Sequence, residues 1–230
     1  MNKYLTEFIG TFFLVFTIGL AVLSASPMAP LAIGAVLMVM VYMGGHVSGG
    51  HYNPAVSLAV LLRGKLESRD FVPYVAMQIL GGIAGAAVVY LVMGRPFAPA
   101  PAEGATALAA LLVEVLYTGA LCLVVLHSAT APQTTGNSFY GLAIGFTVVA
   151  AAFAGGPVSG GAFNPAVGIG PIVMSAFVGQ GSMGNLWLYL AGPFVGAGLA
   201  ALVYRVQQPA ERTPQEALEV ARATPHPIAR

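Results

Sequence analysis

The sequence predicts an all-α membrane protein: a bundle of six transmembrane helices with two re-entrant half-helices, built as an inverted internal repeat. Three observations carry that prediction. Charged residues make up 7% of the 230-residue chain and apolar residues 57%, whereas a soluble domain carries about 25% charged residues. No charged residue lies between Glu7 and Arg63 or between Glu114 and Arg205, gaps of 55 and 90 residues, and one spanning helix needs only about 20. Finally, V-S-G-G-H-Y-N-P-A-V at 47–56 returns as V-S-G-G-A-F-N-P-A-V at 158–167, with eight of ten positions identical at an offset of 111 residues. The net charge of +1 offers no electrostatic footprint for nucleic acid.

The first apolar run, 4–24, follows a lone Lys3 and contains Glu7. It has no small-residue cleavage site, so it reads as a retained helix and not a signal peptide. Pro27 and Pro30 separate it from the second run, 31–48. Segment 53–63 is apolar but too short to cross a bilayer, the length of a re-entrant half-helix. A charged patch at 63–70 then precedes the third span, 71–92. Residues 1–93 form the first repeat and the Pro-rich loop 94–105 an extracellular connection. The second repeat, 106–206, holds spans at 106–128, 139–156 and 184–205 with a half-helix at 164–175. The tail, 207–230, carries four prolines; it reads as a disordered cytoplasmic segment, a short helix at 214–223 being the alternative.

The halves match beyond the decapeptide. L-A-I-G stands at 31–34 and 142–145, Gly44-Gly45 matches Gly155-Gly156, and Gly81 and Gly85 match Gly192 and Gly196. Each half also opens with one acid in an apolar helix, Glu7 or Glu114. Three spans per repeat is an odd number, so the second repeat enters the membrane from the opposite face, and the functional site is expected near the midplane. The basic residues set the orientation. With both termini cytoplasmic, Lys3, Arg63, Lys65, Arg69, Arg205, Arg212, Arg222 and Arg230 lie inside and only Arg95 outside.

Asparagine is a strong helix N-cap, and proline suits the first helical position because its absent N–H would be unpaired there. Asn53-Pro54-Ala55 and Asn164-Pro165-Ala166 therefore read as two helix starts inside the membrane. Irregular backbone at that depth survives only against protein or a water-filled cavity. The carbonyls of Gly49, Gly50, His51 and Tyr52, and of Gly160, Ala162 and Phe163, are thus expected to line a lumen. Two half-helices meeting N-terminus to N-terminus each present about half a positive charge. That arrangement repels cations and protons, while Asn53 and Asn164 still hydrogen-bond a neutral solute.

On these residues the chain resembles the aquaporin, or major intrinsic protein, family. The paired N-P-A motifs, the preceding S-G-G, the acid in the first helix of each half and the length all match, over roughly residues 4–206. The resemblance implies a six-helix channel with two half-helices, a homotetramer in the lipid bilayer and small neutral solutes as cargo. In most relatives the second motif continues with an arginine that lines the narrowest constriction. Here that residue is Val167, and the other constriction positions fall on Ile33, Ala152 and Gly161. An arginine would supply five donors and a fixed charge; this set supplies neither. The departure implies a wide apolar filter for solutes larger than water, such as glycerol or urea-like molecules, or metalloid acids such as arsenite and methylated arsenic. A water-selective aquaporin is the alternative. Glycerol-conducting relatives usually carry aspartate at the position of Gly168, so the match to them is partial.

The remaining polar groups point to support and not to catalysis. Glu7 and Glu114 suit either a proton relay or structural support of the re-entrant loops, and their symmetrical placement favours support. His46 and His51 alone make a weak metal pair, His127 falls at a helix end, and the single Cys122 sits between leucines. No nucleophile–base pair or metal cluster marks an enzyme, and no cofactor is implied. A secondary transporter would need ionisable groups for substrate or coupling ion, and only the two glutamates are available. The expected location is a cell inner or plasma membrane.

Overall fold

The structure is a computed structural model and describes residues 1–208. Among them are nine α-helices and no strand: α1 (Asn2–Leu23), α2 (Ala29–Ser48), α3 (Pro54–Leu62), α4 (Ser68–Met93), α5 (Ala107–Val125), α6 (Tyr140–Ala154), α7 (Gly156–Ser159), α8 (Pro165–Phe177) and α9 (Leu186–Gln207). The tail beyond 208, with the alternative helix at 214–223, lies outside the described residues.

Five helices are long and apolar enough to span a membrane: α1, α2, α4, α9, and α5 together with the π-helical turn Leu126–Thr130 that continues it. The sixth expected span, 139–156, is shorter. Its helix α6 has 15 residues and stops at Ala154, and α7 resumes at Gly156. Proline explains the break. Pro157 stands where the first repeat has His46; its ring lacks an N–H and clashes with the carbonyl four residues back, so the helix cannot run through as α2 does. At the other end of the bundle, α4 starts earlier than the sequence suggested, inside the charged patch. Asp70 in its first turn is buried, yet receives hydrogen bonds from Lys3 Nζ at 2.5 Å and Tyr4 Oη at 2.7 Å.

Two packing pairs repeat between the halves: α1 lies on α4, and α5 on α9. Glycines permit both approaches. A Cβ on Gly85 would lie 2.7 Å from the Phe12 carbonyl oxygen, and one on Gly192 would lie 2.6 Å from Glu114 Cβ. A third pair, α2 on α6, joins the halves. There the L-A-I-G glycines meet: a Cβ on Gly34 would sit 2.5 Å from Gly145 O, and a Cβ on Gly145 would sit 2.5 Å from Gly34 O. This reciprocity places the repeat axis at the α2–α6 crossing. Small residues of this kind are what close helix packing in a bilayer requires.

Candidate functional site

The two half-helices are held head to head. Asn53 caps α3, its Oδ1 accepting from the N–H groups of Ala55 at 2.9 Å and Val56 at 3.4 Å. Asn164 caps α8 through the Ala166 N–H at 2.9 Å. Each amide also crosses to the other repeat. Asn53 Nδ2 donates to the Phe163 carbonyl at 3.0 Å, and Asn164 Nδ2 to the Tyr52 carbonyl at 2.9 Å. An amide nitrogen has two donors, so each asparagine keeps one N–H for another acceptor. Pro54, Ala55, Pro165 and Ala166 are buried at the helix starts.

Reaching this geometry requires unusual backbone. Gly49, Gly50 and Tyr52 take φ values of 92°, 64° and 49°, and Gly160, Gly161 and Phe163 take 88°, 65° and 48°. For an aromatic residue that conformation is strained by about 1–3 kcal/mol. The buried glutamates hold it in place. Glu7 accepts from His51 N–H at 3.0 Å, Tyr52 N–H at 2.7 Å and Ser48 Oγ at 2.6 Å. Glu114 accepts from Ala162 N–H at 3.0 Å, Phe163 N–H at 2.7 Å and Ser159 Oγ at 2.8 Å. A buried carboxylate is tolerable only when hydrogen-bonded in this way.

Three supporting residues carried no motif in the sequence. Gln78 Nε2 donates to Glu7 Oε2 at 2.7 Å and to Ser57 Oγ at 2.9 Å. Tyr74 Oη donates to the Ser48 carbonyl at 2.7 Å, and Tyr189 Oη to the Ser159 carbonyl at 2.6 Å. All four side chains, Ser57 included, are buried. The available signal was isolated polar residues on otherwise apolar helices, which spacing alone does not assign to one loop.

A row of cavities runs past this site. On the side of loop 94–105 lies a space of about 460 Å³, and Ile33, Ala152, Gly161 and Val167 all line it. Gly160 and the loop residues Phe97 and Ala100 share that wall, where Ala102 N–H is bonded to the Val158 carbonyl at 3.1 Å. Ile33 and Val167 also line a central space of about 30 Å³, together with Gly50, His51, Asn53 and Asn164. His51 continues into a third space of about 460 Å³ beside Lys3, Lys65 and Gly49. Tyr52 and Ala162 line none of these three. The Tyr52 ring packs into the gap left by Gly10 and Gly44, and its carbonyl is engaged by Asn164. His46 borders a further space of about 370 Å³ under residues 128–137. His127 bonds Gln207 at 2.8 Å, and Cys122 is buried. Among the described residues no group of three His, Cys, Asp or Glu side chains comes together to hold a metal.

Comparison with known proteins agrees with this architecture. Residues 1–204 match the family model described as MIP, major intrinsic protein. The chain is 38% identical over 214 residues to Aquaporin NIP1-4 of Oryza sativa subsp. japonica, covering 89% of this chain and 76% of the relative. It is 36% identical over 220 residues to Glycerol uptake facilitator protein-like 6 of Lactiplantibacillus plantarum, covering 90% and 98%. Among solved structures, the aquaglyceroporin from Plasmodium falciparum shares the fold, with a TM-score of 0.79 at 23% identity over 88% of this chain and 94% of the other. The chain is thus an integral membrane protein of the major intrinsic protein family, whose members are passive channels for water and small solutes and not enzymes.

Proposed function

We propose that this channel conducts uncharged solutes larger than water, glycerol or urea-like molecules or metalloid acids such as arsenite and methylated arsenic, through a wide apolar filter. One observation carries the reading: Ile33, Ala152, Gly161 and Val167 converge on one cavity of about 460 Å³ and bring no side-chain donor or charge to it. None of these four side chains competes for a bulky solute's hydrogen bonds, and none narrows the wall as an arginine would. Protons and cations would then be held back at the centre by the opposed starts of α3 and α8. Glu7 and Glu114 act as structural supports of the two loops. The resemblance to family members that are generally tetramers supports a homotetramer, and the charge asymmetry supports cytoplasmic termini in a cell inner or plasma membrane.

The central space of about 30 Å³ favours the alternative, a water-selective pore, because it has room for only a few waters in file. Stopped-flow light scattering on proteoliposomes separates the two. Swelling in glycerol, urea and arsenous acid gradients supports the wide filter; water flux with all three excluded overturns it. Val167→Arg should lower large-solute flux by about tenfold, the effect of some 1.4 kcal/mol at the filter, with water flux much less affected. Unchanged uptake of every large solute would remove Val167 from the filter.

A further inference from the structure

The two halves of the lumen are not equally polar, and the difference lies at three matched positions. At the 111-residue offset, His51, Ser57 and Gln78 of the first repeat correspond to Ala162, Gly168 and Tyr189 of the second. In the first repeat the three side chains form one chain of contacts. Gln78 Nε2 reaches Glu7 and Ser57, and Ser57 Oγ lies 3.1 Å from His51 Nδ1. In the second repeat the same place is apolar, with the Tyr189 Cβ packed where a Gly168 side chain would stand.

Hydrogen-bond accounting gives this chain a direction. Glu7 already receives three donors from Ser48, His51 and Tyr52, so its oxygens act as acceptors and the Gln78 amide must turn its NH₂ toward them. A flipped amide would set Oε1 against the carboxylate. The second Gln78 N–H then occupies Ser57 Oγ as an acceptor. The Ser57 hydroxyl proton has one partner within reach, His51 Nδ1. That bond leaves Nδ1 unprotonated and places the imidazole proton on Nε2. Nε2 has no protein partner among the described residues, and it is not among the fully enclosed unpartnered side-chain atoms described, such as Gln78 Oε1 and Thr118 Oγ1. His51 borders both the central space of about 30 Å³ and the space of about 460 Å³ beyond it, so its ring divides the two. The ring is steadied by Tyr74, 5.4 Å away between centroids.

We propose that His51 is the solute-discriminating side chain of the narrow section, presenting Nε2–H to the lumen, and that Ser57 and Gln78 are positioning residues that fix this tautomer. The ligand class is a neutral solute with a carbonyl or hydroxyl oxygen to accept that hydrogen bond. Selection thus sits past the wide apolar cavity, on the side of α3. This rests on reading the row of cavities as a solute pathway.

Two measurements test it on the full chain in lipid vesicles. Solid-state NMR of histidine labelled with ¹⁵N, with the His51 signals assigned by their loss in His51→Asn, should show a neutral ring protonated at Nε2. Protonation at Nδ1 in the neutral ring overturns the proposal. In stopped-flow assays, Ser57→Ala should lower the urea-to-water and glycerol-to-water permeability ratios by about two- to tenfold, the worth of one hydrogen bond. Ser57→Thr, which keeps the hydroxyl, should restore both ratios. Ratios unchanged in Ser57→Ala while flux persists overturn the role of His51 and leave the channel intact. Absence of all flux in the unaltered protein overturns the pathway itself. Should Ser57→Ala fail to fold, the tautomer measured on the unaltered protein decides the proposal.

Discussion

Glu7 and Glu114 occupy matching places, yet they carry unequal loads. Glu114 receives three hydrogen bonds, whereas Glu7 receives a fourth from Gln78. Removing either carboxylate strands buried donors that lipid cannot satisfy. Glu114→Ala is expected to cost about 3 kcal/mol or more, since each unsatisfied buried group costs about 1–3 kcal/mol. Glu7→Ala should cost more, because it also frees the Gln78 amide. Thermal unfolding in detergent, followed by circular dichroism, checks both the loss and its order; equal midpoints for the two variants would contradict the inequality. At this scale the sequence was informative for some residues and silent for others. Asn-Pro-Ala announces itself because capping is local chemistry, and an acid in an apolar run stands out against its surroundings. Ser57, Gln78 and Tyr74 do not, because their meaning depends on which loop the folded chain brings beside them. Tyr52 shows the same limit: its carbonyl accepts from Asn164 and its ring is buried, and neither contact can be read from local sequence.

Among the elements, the α2–α6 crossing is one where the halves meet closely. Gly34 and Gly145 each stand 2.5 Å from the other's carbonyl oxygen when given a Cβ. Gly145→Val must therefore push the helices apart. Overpacking of this sort costs about 1–3 kcal/mol, read as a lower unfolding midpoint and as reduced water flux in proteoliposomes. An unchanged midpoint would mean that the crossing has room for a branched side chain. The repeated L-A-I-G was visible in the sequence, but its role was not, since periodicity does not say which face of a helix meets which neighbour. Helix ends were legible where a residue dictates them. Pro54 and Pro165 open the half-helices as expected. Pro157 ends α6 at Ala154, and the cue was present but outweighed by the apolar length of 139–156. The early start of α4 depended on Lys3 and Tyr4, 67 and 66 residues from Asp70, and no local pattern reports a partner at that distance.

For the whole molecule, the lone cysteine makes the orientation in the membrane easy to examine. Cys122 is buried, which provides a background with little labelling. A membrane-impermeant maleimide applied to intact cells should label Ala98→Cys on the connecting loop. Lys65→Cys should react only after permeabilisation. The reverse pattern would invert the assignment of inside and outside. The class of the molecule was legible from charge spacing alone, because 90 residues without a charge admit few alternatives to a bilayer. Its cavity sizes were not, because a list of four apolar filter residues says nothing of the narrower section beside His51.

The crossed amide bonds between Asn53 and Phe163, and between Asn164 and Tyr52, have a consequence in time. The ribosome delivers the first repeat well before the second, at about 5–20 residues per second. Until Phe163 emerges, Asn53 has no carbonyl to hold. Until Asn164 arrives, nothing occupies the carbonyl of the strained Tyr52. The first half must therefore wait, inserted but unlatched, and both loops close in a single late event. A nascent chain halted before residue 158 would hold its helices in the bilayer and still have no finished waist.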